Sequence, residues 1–168
     1  RACIMNYGLK DKLPQNIVQY LWSAGPQCET PKRTDEKVTH FVLNSVPESC
    51  TAAVQASRRM GISSVVLTTF LEGEAREAGT FLGTLAREIQ ANGRPVEAPC
   101  FVFCSGETTT KVEHSAGTGG PGHEFAMGFA MEARNVPGAV LASVDTEGTD
   151  GTTKYAGGLA DSQTVSEL

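Results

Sequence analysis

The stretch ISSVVLTTFLEGEAREAGTFLGTLAREIQANG, residues 62–93, decides the fold class. Its first nine residues are apolar or hydroxyl-bearing with many β-branched side chains, which predicts a strand over Ile62–Phe70. Apolar residues then recur at the spacing of one helix face, which predicts a helix over Glu72–Gln90 with Asn92 and Gly93 as its stop. A buried strand followed directly by a long helix is typical of α/β proteins.

The same alternation of strand and helix patterns continues on both sides of this stretch. Strands separated by helices favour an α/β fold with a parallel or mixed sheet and helices on both faces. The other predicted strands are KVTHFVLN (37–44), CFVFC (100–104) and AVLASVD (139–145), and the other predicted helices are two short ones before residue 37, a third over Pro47–Met60 and a fourth behind the glycines of 117–122.

Composition and charge exclude several classes of protein. The chain has 168 residues, of which 40% are hydrophobic, enough for one domain or for one domain and part of another. A net charge of −5 without a long run of Lys or Arg argues against nucleic-acid or acidic-membrane partners. The apolar segments fall well short of the roughly 20 residues that span a bilayer. Five cysteines without CxxC spacing indicate reduced thiols, so we expect a cytoplasmic protein.

The glycine-rich stretch GTGGPGHEF, residues 117–125, precedes an apolar helical pattern and allows several interpretations. It spells GxGxxG, with Asp145 at a suitable distance for a ribose, but the alternating stretch before it is unlike the apolar strand of a dinucleotide site. A P-loop is excluded because no Lys follows. The third interpretation is a helix start that binds a phosphate or carboxylate through free N–H groups. His123 is either a binding group or an ordinary surface or core histidine, while Phe125 and Phe129 are expected in the core.

A second polar stretch, VDTEGTDGTT (144–153), follows the last predicted strand. Its acids do not match the spacing of an EF-hand. The pattern fits either a carboxylate and hydroxyl loop that holds Mg²⁺ together with substrate phosphates or a solvated turn. CSGETTT (104–110) is a similar polar exit from a strand.

Four segments in this order resemble the glycerate 2-kinase family, also called class II glycerate kinases, whose C-terminal part is the MOFRL domain. The family patterns LTDRLEGEAREVG, SGGETTV, GGRNQEFAL and TDGxDGPTxxAGA correspond to LTTFLEGEAREAG, CSGETTT, GGPGHEFAM and TEGTDGTTKYAGG here. The resemblance covers nearly the whole chain.

The resemblance implies a two-domain α/β enzyme that phosphorylates D-glycerate at its 2-hydroxyl with ATP and Mg²⁺, giving 2-phosphoglycerate. Residues 1–98 would be the end of a Rossmann-like N-terminal kinase domain and 99–168 a truncated MOFRL domain, with glycerate and a nucleotide as partners and a homodimer as the assembly to test. The roles it implies are catalysis by Asp150 and Glu124, phosphate or substrate binding by Gly119, Gly120, Gly122, His123, Ser105, Glu107 and Thr108, and metal binding by Glu147 and Asp150.

The chain departs from the family pattern at the glycines. The family's Arg is Pro121 here, with Gly122 and His123 in place of Asn and Gln, so an Arg clamp cannot come from this position. Both ends of the sequence fall in apparent helices, from which we expect an interior piece that is inactive alone. The alternatives are an NAD(P)-dependent hydroxypyruvate reductase and a non-catalytic binding or assembly domain. In the kinase, Asp150→Asn is expected to lower turnover strongly with little change in folding.

Overall fold

The computed structural model describes residues 1–33, 37–112 and 117–168. Chain contacts divide it into two compact units, Arg1–Val42 and Leu43–Leu168. Within the described ranges the helices and strands are α1 (Ala2–Asn6), α2 (Gln15–Ser23), a 3-10 turn (Pro26–Cys28), α3 (Val46–Arg59), β1 (Ser63–Leu71), α4 (Ala75–Asn92), β2 (Cys100–Gly106), α5 (Pro121–Ala133), β3 (Val140–Val144), β4 (Gly157–Asp161) and α6 (Thr164–Glu167).

The first unit contains the two short helices that the sequence predicts. Buried Ile4 of α1 and Val18 of α2 supply its small core. The guanidinium of Arg1 donates to carbonyls at the end of α2, including that of Leu21 at 2.6 Å. The predicted strand at 37–44 is wrong, because these residues form neither strand nor helix. Phe41 is 81% exposed there. Alternating side chains are not enough to form a strand, because a strand also needs a neighbouring strand to pair with.

The second unit begins with α3 and a parallel pair of strands. Ser45 caps α3 by accepting from the Glu48 amide, as the Ser-x-x-Glu spacing of a capping box requires. β1 runs parallel to β2, and buried Ser57 of α3 donates to the Ser64 hydroxyl at 2.8 Å. The predicted elements at 47–60, 62–70, 72–90 and 100–104 are thus confirmed to within three residues at each boundary.

Helices α4 and α5 cross at a contact that depends on glycine. A Cβ added at Gly79 would overlap the backbone of Phe125, and one added at Gly128 would overlap the backbone of Arg76. The absence of side chains therefore lets the two helix backbones touch. Gly93 ends α4 in the left-handed conformation, at φ +65°, where the sequence predicts the stop.

The antiparallel pair β3–β4 packs on α5 and completes the core. Phe125 and Phe129 are 7% and 3% exposed, which confirms that they are core residues. AVLASVD forms β3, although Val140 is 69% exposed, so the strand is buried on one face only. The core cluster consists of Ala75, Phe125, Ala126, Phe129, Ala130, Ala133, Leu141 and Ala160.

The fold class is confirmed as α/β. Within the described ranges the strands form two separate pairs rather than one continuous sheet, because the partner of β3 is β4, which follows it in the chain. The boundary between 98 and 99 stays a prediction, and the paired strands β1 and β2 lie on either side of it. No helix in the described part of the chain is both long and apolar enough to cross a membrane.

Candidate functional site

Two loops meet at the N-terminus of α5: residues 117–120, which lead into the helix, and residues 145–156, which join β3 to β4. A Cβ at Gly120 would overlap the carboxylate of Asp150, and one at Gly151 would overlap the carbonyl of Gly119. Gly151 also has φ +56°, a conformation that favours glycine. These glycines therefore let the two loops pack backbone against backbone.

The group held between the loops is the carboxylate of Asp150, which is 1% exposed. It accepts hydrogen bonds from the amides of Gly122 at 3.0 Å and His123 at 2.8 Å. It also pairs with Nδ1 of the His123 ring. An anion is favoured at a helix N-terminus, and here that anion belongs to the protein itself.

The backbone donors in the first turn of α5 are already occupied. Pro121 has no N–H, the amides of Gly122 and His123 donate to Asp150, and the amide of Glu124 donates to the carbonyl of Gly120 at 3.1 Å. The helix start thus binds an internal carboxylate in the place where the sequence predicts a ligand phosphate or carboxylate.

Asp150 is held in its ionised form. Burial by itself would raise the pKa of Asp150, but the hydrogen bonds from Gly122 and from the ring and amide of His123 outweigh it and hold the pKa below its ordinary value. The carboxylate is therefore negatively charged at neutral pH, within hydrogen-bond reach of the His123 ring.

Hydrogen bonds within the second loop fix the residues that follow Asp150. The amide of Asp150 donates to the carbonyl of Tyr155 at 2.7 Å, and the Thr153 hydroxyl donates to the carbonyl of Asp150 at 2.8 Å. The amide of Thr152 donates to the carbonyl of Gly119 at 3.1 Å, which ties this loop to the first one. The loop therefore has a defined shape rather than that of a solvated turn.

An open cavity of about 360 Å³ lies at this junction. Most of the surface that faces it is apolar, and the residues that line it carry hydroxyl groups, one imidazole and one ammonium group. These polar groups are suited to an oxyanion or a sugar-like hydroxyl. His123 lines the cavity, while Asp150 lies behind it. The lining residues are Thr118, His123, Thr152, Thr153, Lys154 and Tyr155.

The remaining predicted residues lie elsewhere. Glu124 accepts from Nε of Arg76 on α4 at 2.8 Å, which joins the two helices at their surface. Glu147 is exposed, and its amide donates to the carboxylate of Asp145 at 2.8 Å. Ser105, Glu107 and Thr108 follow one another where β2 ends, and none of them is among the residues that line the cavity.

The structure thus brings together Gly119, Gly120, Gly122, His123 and Asp150, and it does not place the three residues at the β2 exit with them. Sequence reasoning passed over Lys154 and Tyr155. The signal that could have found them is β4, because a strand at 157–161 makes 145–156 the turn of a hairpin and directs its residues to one end of the sheet.

Asp150 does not fit a magnesium site in this arrangement. Mg²⁺ is bound by oxygens that are free to face it, whereas the oxygens of Asp150 are buried and engaged by three protein donors. Among the residues that the structure describes, no three His, Cys, Asp or Glu side chains are grouped so that they could hold a metal ion.

Comparison with known proteins supports the family resemblance. Residues 100–168 match the MOFRL family. The chain is 35% identical over 164 residues to a glycerate 2-kinase of Pyrococcus horikoshii, covering 96% of this chain and 37% of that protein. It is 35% identical over 140 residues to a D-glycerate 2-kinase of Thermotoga maritima, covering 83% of this chain and 33% of that protein. The chain therefore spans about a third of the length of these relatives.

A solved structure shares the fold. The crystal structure of a glycerate kinase from Thermotoga maritima aligns with a TM-score of 0.78 at 31% identity, over 92% of this chain and 38% of that one. Over the shared region, this chain therefore has the fold of that glycerate kinase. Residues 100–168 match the MOFRL family, and the chain as a whole is similar to the glycerate 2-kinases over about a third of their length.

Proposed function

We propose that this protein transfers the terminal phosphoryl group of ATP to the 2-hydroxyl of D-glycerate, giving 2-phosphoglycerate. The observation that carries the proposal is the cavity at the junction of the two loops, which is lined by an imidazole, an ammonium group and hydroxyls. The names of the relatives in Pyrococcus horikoshii and Thermotoga maritima support the choice of glycerate as the acceptor.

The cavity suits phosphoryl transfer because that reaction needs positioning and charge neutralisation more than covalent chemistry from the protein. Lys154 would neutralise negative charge on a carboxylate or phosphate, and His123 would do so when its ring carries a second proton. The hydroxyl of Thr118 would orient the ligand by a hydrogen bond, since that of Thr152 already donates to the carbonyl of Gly119. Gly119, Gly120 and Gly122 would help to hold the two loops together rather than bind the ligand. The amide of Gly122, for example, already donates to the carboxylate of Asp150.

ATP and Mg²⁺ are the cofactors that we propose. ATP would supply the phosphoryl group, and its phosphates would bring the Mg²⁺ that neutralises their charge. Since Asp150 does not fit a metal, we assign it to positioning His123 rather than to a metal or catalytic contact. Glu147, which is exposed in the same loop, is the acid that remains for a metal, and Ser105, Glu107 and Thr108 keep their proposed place at the edge of the substrate cleft.

Three broader proposals accompany this function. The cytoplasmic location expected from the cysteines, the homodimer, and the division into residues 1–98 and 99–168 that the family resemblance implies all stay predictions. Light scattering on the purified gene product would measure its mass in solution and test the homodimer.

The test of the function is a phosphorylation assay with the complete gene product. D-glycerate, ATP and Mg²⁺ are incubated with it, and the products are resolved by phosphorus NMR, which separates 2-phosphoglycerate from 3-phosphoglycerate. We expect 2-phosphoglycerate and ADP to be produced in equal amounts. Neither product should form when glycerate is omitted. Formation of 3-phosphoglycerate would contradict the proposal that the 2-hydroxyl is the acceptor. The absence of any phosphorylated product would contradict the proposal that glycerate is the substrate.

A reductase is the second candidate, because a relative in Agrobacterium vitis, 32% identical over 160 residues, carries a provisional hydroxypyruvate reductase name. Two observations weigh against a dinucleotide at GxGxxG. Residues 107–112, before the glycines, form no strand, and the amides that would hold the pyrophosphate donate to Asp150. Oxidation of NADH with hydroxypyruvate would favour the reductase, while failure to bind either nucleotide or glycerate would favour a non-catalytic domain.

A further inference from the structure

The pair formed by Asp150 and His123 determines which atoms of the cavity can meet a ligand. An ionised carboxylate only accepts hydrogen bonds, so the proton between the two side chains belongs to Nδ1 of His123. This leaves Nε2 as the ring nitrogen available on the cavity side, where 32% of the His123 side chain is exposed. Nε2 accepts a hydrogen bond in the neutral ring, and it donates one to a ligand oxygen when the ring carries a second proton. An imidazole whose orientation is fixed by a buried acid is pre-organised to contact a ligand.

The charges around the cavity indicate the chemical class of that ligand. Its lining includes His123 and the exposed Lys154, and no Asp or Glu is among the six lining residues that the structure describes. Behind the cavity, the carboxylate of Asp150 pairs with Nδ1 of the His123 ring. The carboxylate of Glu124, next to His123 in sequence, is paired with Arg76 on α4. The one fixed charge among the lining residues that the structure describes is therefore the positive charge of Lys154, which favours a negatively charged ligand group.

The helix itself cannot supply this contact. A ligand anion at the start of α5 would need the amides of Gly122 and His123, both of which donate to Asp150. Pro121 offers neither an amide hydrogen nor a charged side chain. Side chains must then do what backbone amides do at other anion-binding helix starts.

We propose that Lys154 and His123, with its ring protonated at both nitrogens, together bind an oxyanion of the ligand in this cavity, with Asp150 as the positioning residue for the ring of His123. This inference rests on the proposed function and deepens it, since it names the ligand group and the protein atoms that meet. The oxyanion is either the carboxylate of the hydroxy acid or a phosphate of the nucleotide, which share the same donors.

Isothermal titration calorimetry on the complete gene product tests the inference with three separate probes: D-glycerate, ATP and inorganic phosphate. His123→Gln removes the imidazole ring and Lys154→Gln removes the ammonium charge, while each variant keeps a polar side chain at its site. His40→Gln is the matched control, because His40 is exposed and does not line the cavity. Circular dichroism melting curves verify that each variant is folded.

We expect both cavity variants to raise the Kd of the same probe about tenfold or more, the effect of losing a hydrogen bond to a charged group. The control should change the Kd less than twofold. Weaker binding of D-glycerate alone would identify the carboxylate, and weaker binding of ATP and inorganic phosphate would identify a phosphate. Unchanged Kd values for all three probes, or no binding of any probe to the wild type, would overturn the inference.

A second measurement does not depend on variants. Long-range proton–nitrogen NMR spectra report Nε2 of His123 directly, and we expect its signal to move when the binding probe reaches saturation. A bound probe that leaves this signal in place would overturn the inference. If the wild type binds an oxyanion through His123 yet forms no phosphoglycerate, the proposed function fails and the inference stands. If it phosphorylates glycerate while the variants bind normally, only the inference fails.

Discussion

At the scale of single residues, Asp150 explains more of the site than any other side chain. One carboxylate occupies the helix N-terminus, fixes the ring of His123 and lies against Gly120. The sequence pattern made Asp150 a candidate because acids and threonines alternate around it. The pattern could not show that its partners lie 27 and 28 positions earlier in the chain, since no local rule of spacing links a hairpin turn to a distant helix start.

Replacing Asp150 by Asn should lower stability as well as activity. Asn keeps an acceptor for one amide but loses the charge and turns an NH₂ group towards donors, so we expect the free energy of unfolding to fall by about 1–3 kcal/mol. Urea denaturation measures this. Glu147→Gln neutralises an exposed acid in the same loop and should stay within about 0.5 kcal/mol of wild type. Equal stabilities for wild type and Asp150→Asn would return Asp150 to the purely catalytic role expected from the sequence.

The contribution of Asp150 should depend on pH in a definite direction. Its pKa in the folded protein lies below the ordinary value of 3.8, so the folded state binds this proton less readily than the unfolded state. The stabilisation is then complete above about pH 4 and is lost as the pH falls through the lower folded value. We expect the stability gap between wild type and Asp150→Asn to shrink in acid. A gap that widens below pH 4 would contradict the hydrogen-bonded, ionised carboxylate.

At the scale of helices and strands, the α4–α5 crossing is what positions the site. Periodic apolar residues made both helices predictable. The close approach of the two helices was not predictable, because it depends on Gly79 and Gly128 facing the backbone of the partner helix. In a sequence, a glycine within a helix only indicates a locally less stable helix. The pair β3–β4 shows the same limit, since β4 contains two glycines and gains its strand conformation from pairing with β3.

Gly128→Ala should destabilise the protein, although alanine is the better helix former by about 1 kcal/mol in an isolated helix. The added methyl group would overlap the carbonyl of Arg76, so the helices must separate, and we expect a loss of about 2–4 kcal/mol in thermal or urea unfolding. Gly119→Ala is the control, since a Cβ there meets nothing within 4 Å. A Gly128→Ala protein as stable as wild type would mean that the helices do not touch there.

The pair Arg76–Glu124 should contribute little and should not carry catalysis. Arg76 is 63% exposed, so the coupling between the two side chains in a double-mutant cycle should not exceed about 1 kcal/mol. We expect Glu124→Gln and Arg76→Gln to leave kcat within about threefold of wild type, because Glu124 faces α4 and does not line the cavity. A large drop in kcat for Glu124→Gln alone, with Arg76→Gln unaffected, would support the catalytic role that the sequence resemblance implies.

At the scale of the whole molecule, the sequence predicted the α/β class and the resemblance to the glycerate 2-kinases, and the structure adds that the glycine loop meets the acidic threonine loop. It failed at 37–44, where alternating side chains found no partner strand, and at the division of the strands into two pairs. Local patterns report periodicity and caps, whereas strand pairing and the target of a buried acid are set by residues far apart in the chain. Lys154 and Tyr155 were missed for that reason.

The central claim is that side chains of the cavity hold the ligand's oxyanion because Asp150 already occupies the start of α5. A crystal structure of the complete gene product with D-glycerate and a non-hydrolysable ATP analogue tests it most directly. The account predicts a ligand oxygen within hydrogen-bond distance of Nε2 of His123, with the carboxylate of Asp150 still bonded to the amides of Gly122 and His123. A ligand phosphate or carboxylate on those two amides, with Asp150 displaced, would contradict it.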